Sequence, residues 1–170
     1  MVHVTTESAQ PARKGHTGGR LVIVCGLPAS GKTTLARALA TDRRGLRLGP
    51  DEWLHALGTH LWDAAMRERV EALQWSLAQE LLRIGTTVII EWGTWARSER
   101  DFLRHQAKAL GATTELIYLD VDHEVLWRRI QQRAIEVPAI QRNDLSDWVG
   151  LFEAPDDAEF ARYDAWSALT

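Results

Sequence analysis

Cysteine is nearly absent from this chain: Cys25 is the only one in 170 residues. A lone cysteine excludes an intramolecular disulfide framework. Its place at the end of the apolar run Leu21-Val22-Ile23-Val24-Cys25 reads as a small core residue rather than a nucleophile. A basic excess is also lacking, since the formal net charge is −3, which argues against a dedicated nucleic-acid binder. No apolar run approaches the roughly 20 residues that span a bilayer, so no membrane partner is expected. Residues 1–20 hold no apolar signal-peptide core, and a cytoplasmic setting is expected. The histidines, six in number, show no metal-ligand spacing. What is present suits one globular domain: hydrophobic residues at 45% and charged residues at 25%, in a length able to bury a core. Nothing in the composition distinguishes a monomer from a homodimer.

Residues 1–19 are polar, carry Pro11, Gly15, Gly18 and Gly19, and lack periodicity. They read as a disordered leader before a single domain at 20–170. From there strands alternate with helices. Strands are expected at 21–25, 46–48, 86–90 and 114–119, with 165–169 as an edge strand. Helical patterns cover 32–42, 51–57, 62–84, 97–110 and 122–134. In the longest of them, Met66, Val70, Leu73, Leu77 and Leu81 form the stripe expected to face a sheet. Gly58, Gly85 and Gly111 stand where helices stop, and Asp122 where one is capped. Pro138 breaks the pattern and makes 135–142 a loop; Asn143 or Asp144 then caps a short helix through Phe152, and another follows Pro155. This alternation predicts an α/β fold with a parallel sheet of about five strands and helices on both faces. Ligands of such sheets sit beyond the carboxyl ends of the strands.

The first strand end carries Gly26-Leu27-Pro28-Ala29-Ser30-Gly31-Lys32-Thr33, a full G-x-x-x-x-G-K-[ST] phosphate-binding loop. Gly26 and Gly31 let the backbone curl so that successive N–H groups face phosphate oxygens. Lys32 reaches the β- and γ-phosphates, and the Thr33 hydroxyl ligates Mg²⁺. The helix that follows, from Lys32 through Thr34, adds the partial positive charge of its N-terminus. The expected ligand is ATP or GTP with Mg²⁺, and no other metal.

The other strand ends carry candidate chemistry. Asp51, after the second strand, either accepts a proton from an acceptor hydroxyl or caps the helix it opens. Glu91, after the third, stands where an acid holds Mg²⁺ directly or through water. Arg129 and Arg133 are four apart, on one helix face beside the 135–142 loop. They either neutralise a transferring phosphoryl group or lie in solvent. Arg97 and Arg100 are candidates for orienting a substrate or phosphate. Tryptophan is plentiful, at eight residues; Trp53, Trp92 and Trp95 follow strand ends and either stack on an acceptor or pack the core.

Together, the phosphate-binding loop with Thr34-Leu35-Ala36, the Asp after strand two, the acid and arginines after strand three, and the Arg129–Arg133 pair resemble the small P-loop kinases. These are AAA-like ATP-binding proteins of the group that holds chloramphenicol phosphotransferase, the zeta toxins and polynucleotide kinase. The resemblance covers about residues 20–165. It implies a nucleoside-monophosphate-kinase-like fold with a lid, ATP and Mg²⁺ as cosubstrates, Asp51 as the acceptor-activating carboxylate and Arg129 and Arg133 as lid arginines. It also implies that the nucleotide base lies near the lid helix and Phe152-Glu153-Ala154-Pro155. One departure matters: polynucleotide kinases carry an arginine three positions beyond the aspartate to hold the acceptor's phosphate, and Leu54 stands there. The expected activity is therefore phosphoryl transfer to a hydroxyl of a small molecule, such as a metabolite, nucleoside, sugar or antibiotic, rather than to a nucleic-acid end. The alternative is a nucleotide-dependent switch or ATP-binding module with no small-molecule acceptor.

Overall fold

The run Leu21–Cys25 is buried on both faces, which only a central strand covered from two sides allows. In the computed structural model, which describes residues 18–133 and 139–170, this run forms most of β1 (Arg20–Gly26). After it come α1 (Lys32–Asp42), β2 (Leu46–Leu48), α2 (Pro50–Ala56), α3 (Ala64–Arg83) and β3 (Thr87–Ile90). The second half holds α4 (Arg97–Ala109), β4 (Thr113–Leu119), α5 (His123–Arg133), α6 (Arg142–Leu151), α7 (Asp157–Phe160) and β5 (Ala165–Leu169). The expected leader before Gly18, and the expected helix end at Ala134 with the loop through Pro138, lie outside the described residues.

All strand pairs are parallel, in the order β2-β3-β1-β4-β5. The five-stranded sheet, with the expected edge strand in place, therefore has β1 at its centre. Period-two alternation splits β1 between two cores. Leu21, Ile23 and Cys25 face α3 and α4 through Trp75, Ala78, Leu82, Leu103 and Ala107. Val22 and Val24 face Ala36, Leu35 and Leu39 of α1. Cys25 is 1% exposed, and burial pushes its thiol up to about 12, so it behaves as a core residue.

The stripe expected on α3 is rotated in the structure. Val70, Gln74, Trp75, Ala78 and Leu82 are buried, whereas Leu73 is 64% exposed and Leu77 and Leu81 are only partly buried. Gln74 explains the shift. Its amide donates to Gly49 O at 3.0 Å and accepts from Trp92 Nε1 at 2.7 Å, and a polar side chain so satisfied can occupy the inner face. At α6 the N-cap is Gln141 rather than Asn143 or Asp144, and Asp144 reaches back to accept from Gln141 N at 2.6 Å. Asp122 does cap α5, accepting from Glu124 N at 2.9 Å.

One buried ion pair ties α4 to α7. Arg100 is 0% exposed and Glu159 1%. They meet in a fork, Nε to Oε1 at 2.7 Å and Nη2 to Oε2 at 2.8 Å. Glu159→Gln leaves the guanidinium charge buried without its counter-ion, and should lower stability by about 3 kcal/mol or more. Urea denaturation of the two proteins measures the difference, and an unchanged midpoint would refute a structural role for the pair.

Candidate functional site

The loop after β1 turns as its sequence demands. Gly26 has φ +147°, and a Cβ there would stand 2.9 Å from Leu119 O on β4, so only glycine fits. Gly31, at φ +103°, is the N-cap of α1. It offers no side-chain acceptor, and the first turn of α1 holds no acid, so the orphan N–H groups of that turn remain donors for an anion. Lys32 Nζ donates to Gly26 O and Leu27 O, both at 2.9 Å. The loop thus wraps the ammonium although the residue as a whole is only half-buried. Desolvation pulls the Lys32 pKa down from its ordinary 10.5 to about 8, against the opposing pull of Glu91, Cys25 and Asp51.

Pro28, Ala29, Gly31, Lys32, Thr33 and Thr34 form one side of a cleft of about 1080 Å³, at the carboxyl ends of β1, β2 and β3. Asp51 and Glu91 also line it, as does Arg133. Asp51 lies in the first turn of α2, whose N-cap is Gly49 with no side-chain cap; Asp51 is therefore not the cap. Its side chain is 66% exposed, and Oδ1 accepts from Arg67 Nη2 at 2.6 Å. Glu91 is buried on the cleft floor, with Oε1 accepting from Arg47 Nη1. Gly49 passes so close that a Cβ on it would stand 2.7 Å from that oxygen. Arg47 also bonds Glu52, which in turn holds Arg37 of α1.

The two arginines of α5 divide. Arg133 lines the cleft. Arg129 instead braces the loop from outside, Nη1 donating to Ala29 O and Ser30 O at 3.2 Å each. The expected substrate roles of Arg97 and Arg100 are not supported. Arg97 points to Asp156 at 3.1 Å, and Arg100 is the buried partner of Glu159 that also bonds Thr94 O, Trp95 O and Glu153 O. Neither lines the cleft. Trp53 is likewise outside it and 38% exposed. Its neighbour Leu54 is 0% exposed, and a helix turn of about 100° per residue carries Trp53 off the inner face. Trp92 and Trp95 do line the cleft, with Trp62, Trp75 and Trp148. Phe152 stacks on Tyr118, centroids 5.7 Å apart, and Glu153 N bonds Trp95 O at 3.0 Å. Arg47 and Arg67 line the cleft, and Gln74 supports Trp92 and Gly49 from the core behind it; sequence reasoning singled out none of the three. For Arg67 the available signal was its spacing of four from Glu71 on α3.

Comparison with known proteins places this geometry. The family model described as AAA domain, AAA_33, matches residues 21–155. The adenylate kinase isoenzyme 6 homolog of Schizosaccharomyces pombe is 27% identical over 128 residues, 72% of this chain and 66% of that relative. The chain thus spans just under two thirds of the length of that curated relative. Among solved structures, a candidate kinase from Chloroflexus aurantiacus superposes with TM-score 0.67 at 26% identity, over 91% of this chain and 86% of that one. The APS kinase CysC of Mycobacterium tuberculosis, in complex with AMPPNP and APS, superposes with TM-score 0.64 at 17% identity, over 89% and 88%. That last likeness is one of fold. Among the described residues no helix is long and apolar enough to cross a membrane.

The depressed Lys32 pKa gives a signed expectation. Folding disfavours its charged form, so this group's share of stability rises as pH climbs from about 8 to 10.5. Phosphates need the ammonium, so nucleotide affinity should be flat below pH 8 and fall by up to about tenfold per pH unit above it, with proton uptake on binding. Titration calorimetry in buffers of different ionisation enthalpy reads that uptake. Lys32→Arg, which stays charged, should abolish it; a wild-type protein with no uptake at pH 9 would refute the coupling.

Proposed function

The chain belongs to the AAA domain family matched over residues 21–155, and on that premise we propose that it is a kinase. In this reading it moves the γ-phosphoryl group of ATP to a hydroxyl of a small molecule, with Asp51 as the base. The observation that carries the reading is that Asp51 shares one cleft with Lys32, Thr33 and Arg133. A base, a phosphate-binding lysine and a second cation around one cavity are what in-line phosphoryl transfer needs.

The donor set suits Mg²⁺. The Thr33 hydroxyl and the Glu91 carboxylate are hard oxygen donors in the same cleft. Among the described residues no group of three or more His, Cys, Asp or Glu forms a metal cage, which fits an ion delivered with the phosphates. Thr33 would hold it directly, and Glu91 through water, because Arg47 already takes Glu91 Oε1. Held there, Mg²⁺ would supply positive charge to the nucleotide's phosphates.

Arg67 holds Asp51 by Oδ1, and Oδ2 is the oxygen assigned to the acceptor hydroxyl. As the acceptor oxygen bonds to the γ-phosphorus, its proton passes to Asp51. The bond from that phosphorus to the β–γ bridging oxygen breaks, and ADP leaves with the electron pair. Lys32 and Arg133 balance the charge on the phosphoryl group in flight, and Arg129 positions the loop. No covalent enzyme intermediate is required. The fully buried Leu54 supports an acceptor other than a nucleic-acid end, since the position that would carry a phosphate-binding arginine belongs to the core.

Asp51→Asn should lower kcat for phosphoryl transfer by about 10² to 10⁴-fold, with ATP affinity nearly unchanged. The assay is mass detection of phosphorylated product from a pooled library of hydroxylated metabolites and antibiotics. Full activity in Asp51→Asn would remove Asp51 from the mechanism, and slow ATP hydrolysis with no modified compound would favour a switch.

A further inference from the structure

The wall of the cleft built by α3 and α4 differs in chemistry from the phosphate-binding side. Glu68, Glu71 and Trp75 recur at spacings of three and four along α3, so all three lie on one helix face and line the cleft. On α4, Glu99 and Phe102 are three apart and line the same cavity. Trp75 and Phe102 meet at 6.4 Å between centroids, and Trp62 stacks on Trp148 at 6.2 Å with planes 23° apart. Trp62 and Phe102 are nevertheless 53% and 54% exposed. Large aromatic faces left open around a cavity mark a place where something binds.

Charge on this wall is unbalanced. Its cation, Arg67, is engaged by Asp51 at 2.6 Å, Leu61 O at 3.2 Å and Glu71 at 3.7 Å. Among the described residues Glu68 and Glu99 form no ion pair, and Glu99 Oε2 accepts only from Ala96 N at 3.0 Å. Burial raises the Glu71 carboxyl above its ordinary range despite Arg67, and Glu99 and Asp51 add to the rise. A second, independent mark lies in the loop after β3. Thr94 lines the cleft at 5% exposure, and its Oγ1 has no hydrogen-bond partner among the described residues. A buried hydroxyl without a partner costs free energy that a polar ligand recovers.

We propose that the phosphoryl acceptor is an amine-bearing hydroxylated compound, its ammonium held between Glu68, Glu71 and the tryptophan faces, with its hydroxyl turned toward Asp51. Carboxylates beside aromatic faces select a cation, because the ring quadrupole and the ionised acids attract the same charge. They repel an acceptor that itself carries phosphate or carboxylate. Thr94 Oγ1 supplies a donor or acceptor for a second polar group. This inference rests on the kinase reading above, and its test separates the two.

The probes are phenylethanolamine, glucosamine and kanamycin, each beside its N-acetylated form, whose nitrogens are neutral. Binding is followed by tryptophan fluorescence and calorimetry without ATP, and transfer by mass gain with Mg²⁺ and ATP. At least one amine should bind about tenfold or more tighter than its acetylated partner. Glu68→Gln and Glu71→Gln should each erode that preference while leaving ATP affinity intact. Glu68 is exposed, so its variant keeps the test valid should Glu71→Gln fold poorly. Equal binding of every pair, or a preference untouched by both variants, overturns the inference. Transfer to neutral alcohols alone also overturns it and leaves the kinase reading standing. Amine-selective, Glu68-dependent binding without any transfer overturns the assignment of the bound amine as phosphoryl acceptor, while the library assay above still decides the kinase reading.

Discussion

A single guanidinium organises one side of the molecule. Arg100 sits on α4 with no solvent contact, forks onto Glu159, and donates its remaining N–H groups to the carbonyls of Thr94, Trp95 and Glu153. A buried arginine persists only where its donors are satisfied and its charge is matched, so every one of those partners is fixed by the same requirement. The carbonyls at 94 and 95 belong to the loop after β3, which carries Trp92, Thr94 and Trp95 into the cleft. This stretch of the cleft wall is therefore held from behind by an ion pair that does not itself line the cleft. Gln74 does the same for the floor, linking Trp92 to the backbone of Gly49 beneath the start of α2.

Electrostatics divide the cavity. On the side of the phosphate-binding loop the uncapped first turn of α1, Lys32 and Arg133 present positive charge, tempered by Glu91 with its own arginine. On the side of α3 and α4, carboxylates outnumber the single Arg67. Asp51 stands at the boundary, tied to Arg67 and near enough to raise the basicity of Lys32. The cleft thus has a cationic half and an anionic half, with the Asp51 carboxylate between them.

The sequence made the loop, the five strands and the acids at the strand ends legible because each is encoded within a few consecutive residues. Period-two burial in β1 and the glycine spacing need no distant partner to be read. Arg97 and Arg100 look like substrate groups in the sequence for the opposite reason: their partners Asp156 and Glu159 lie far along the chain, in α7 and the turn before it. Hydropathy ranks leucine above glutamine and so points Leu73 into the α3 core, whereas Gln74 is the residue whose hydrogen bonds let it turn inward. Trp53 lies one residue of helical rotation away from the buried Leu54. Arg47 and Arg67 gave little local sign of their importance, since an arginine in a three-residue strand or on a charged helix face is an ordinary surface residue until the fold supplies its carboxylate.

The attachment of Arg129 to the carbonyls of Ala29 and Ser30 has a mechanical meaning. Arg133 follows one turn later, about 6 Å farther along the axis of α5, and reaches the cleft while its neighbour stays moored to the loop. The cation in the cleft and the clamp on the loop therefore belong to one helical turn, so the place of Arg133 is registered to the backbone of Ala29 and Ser30 through that turn alone.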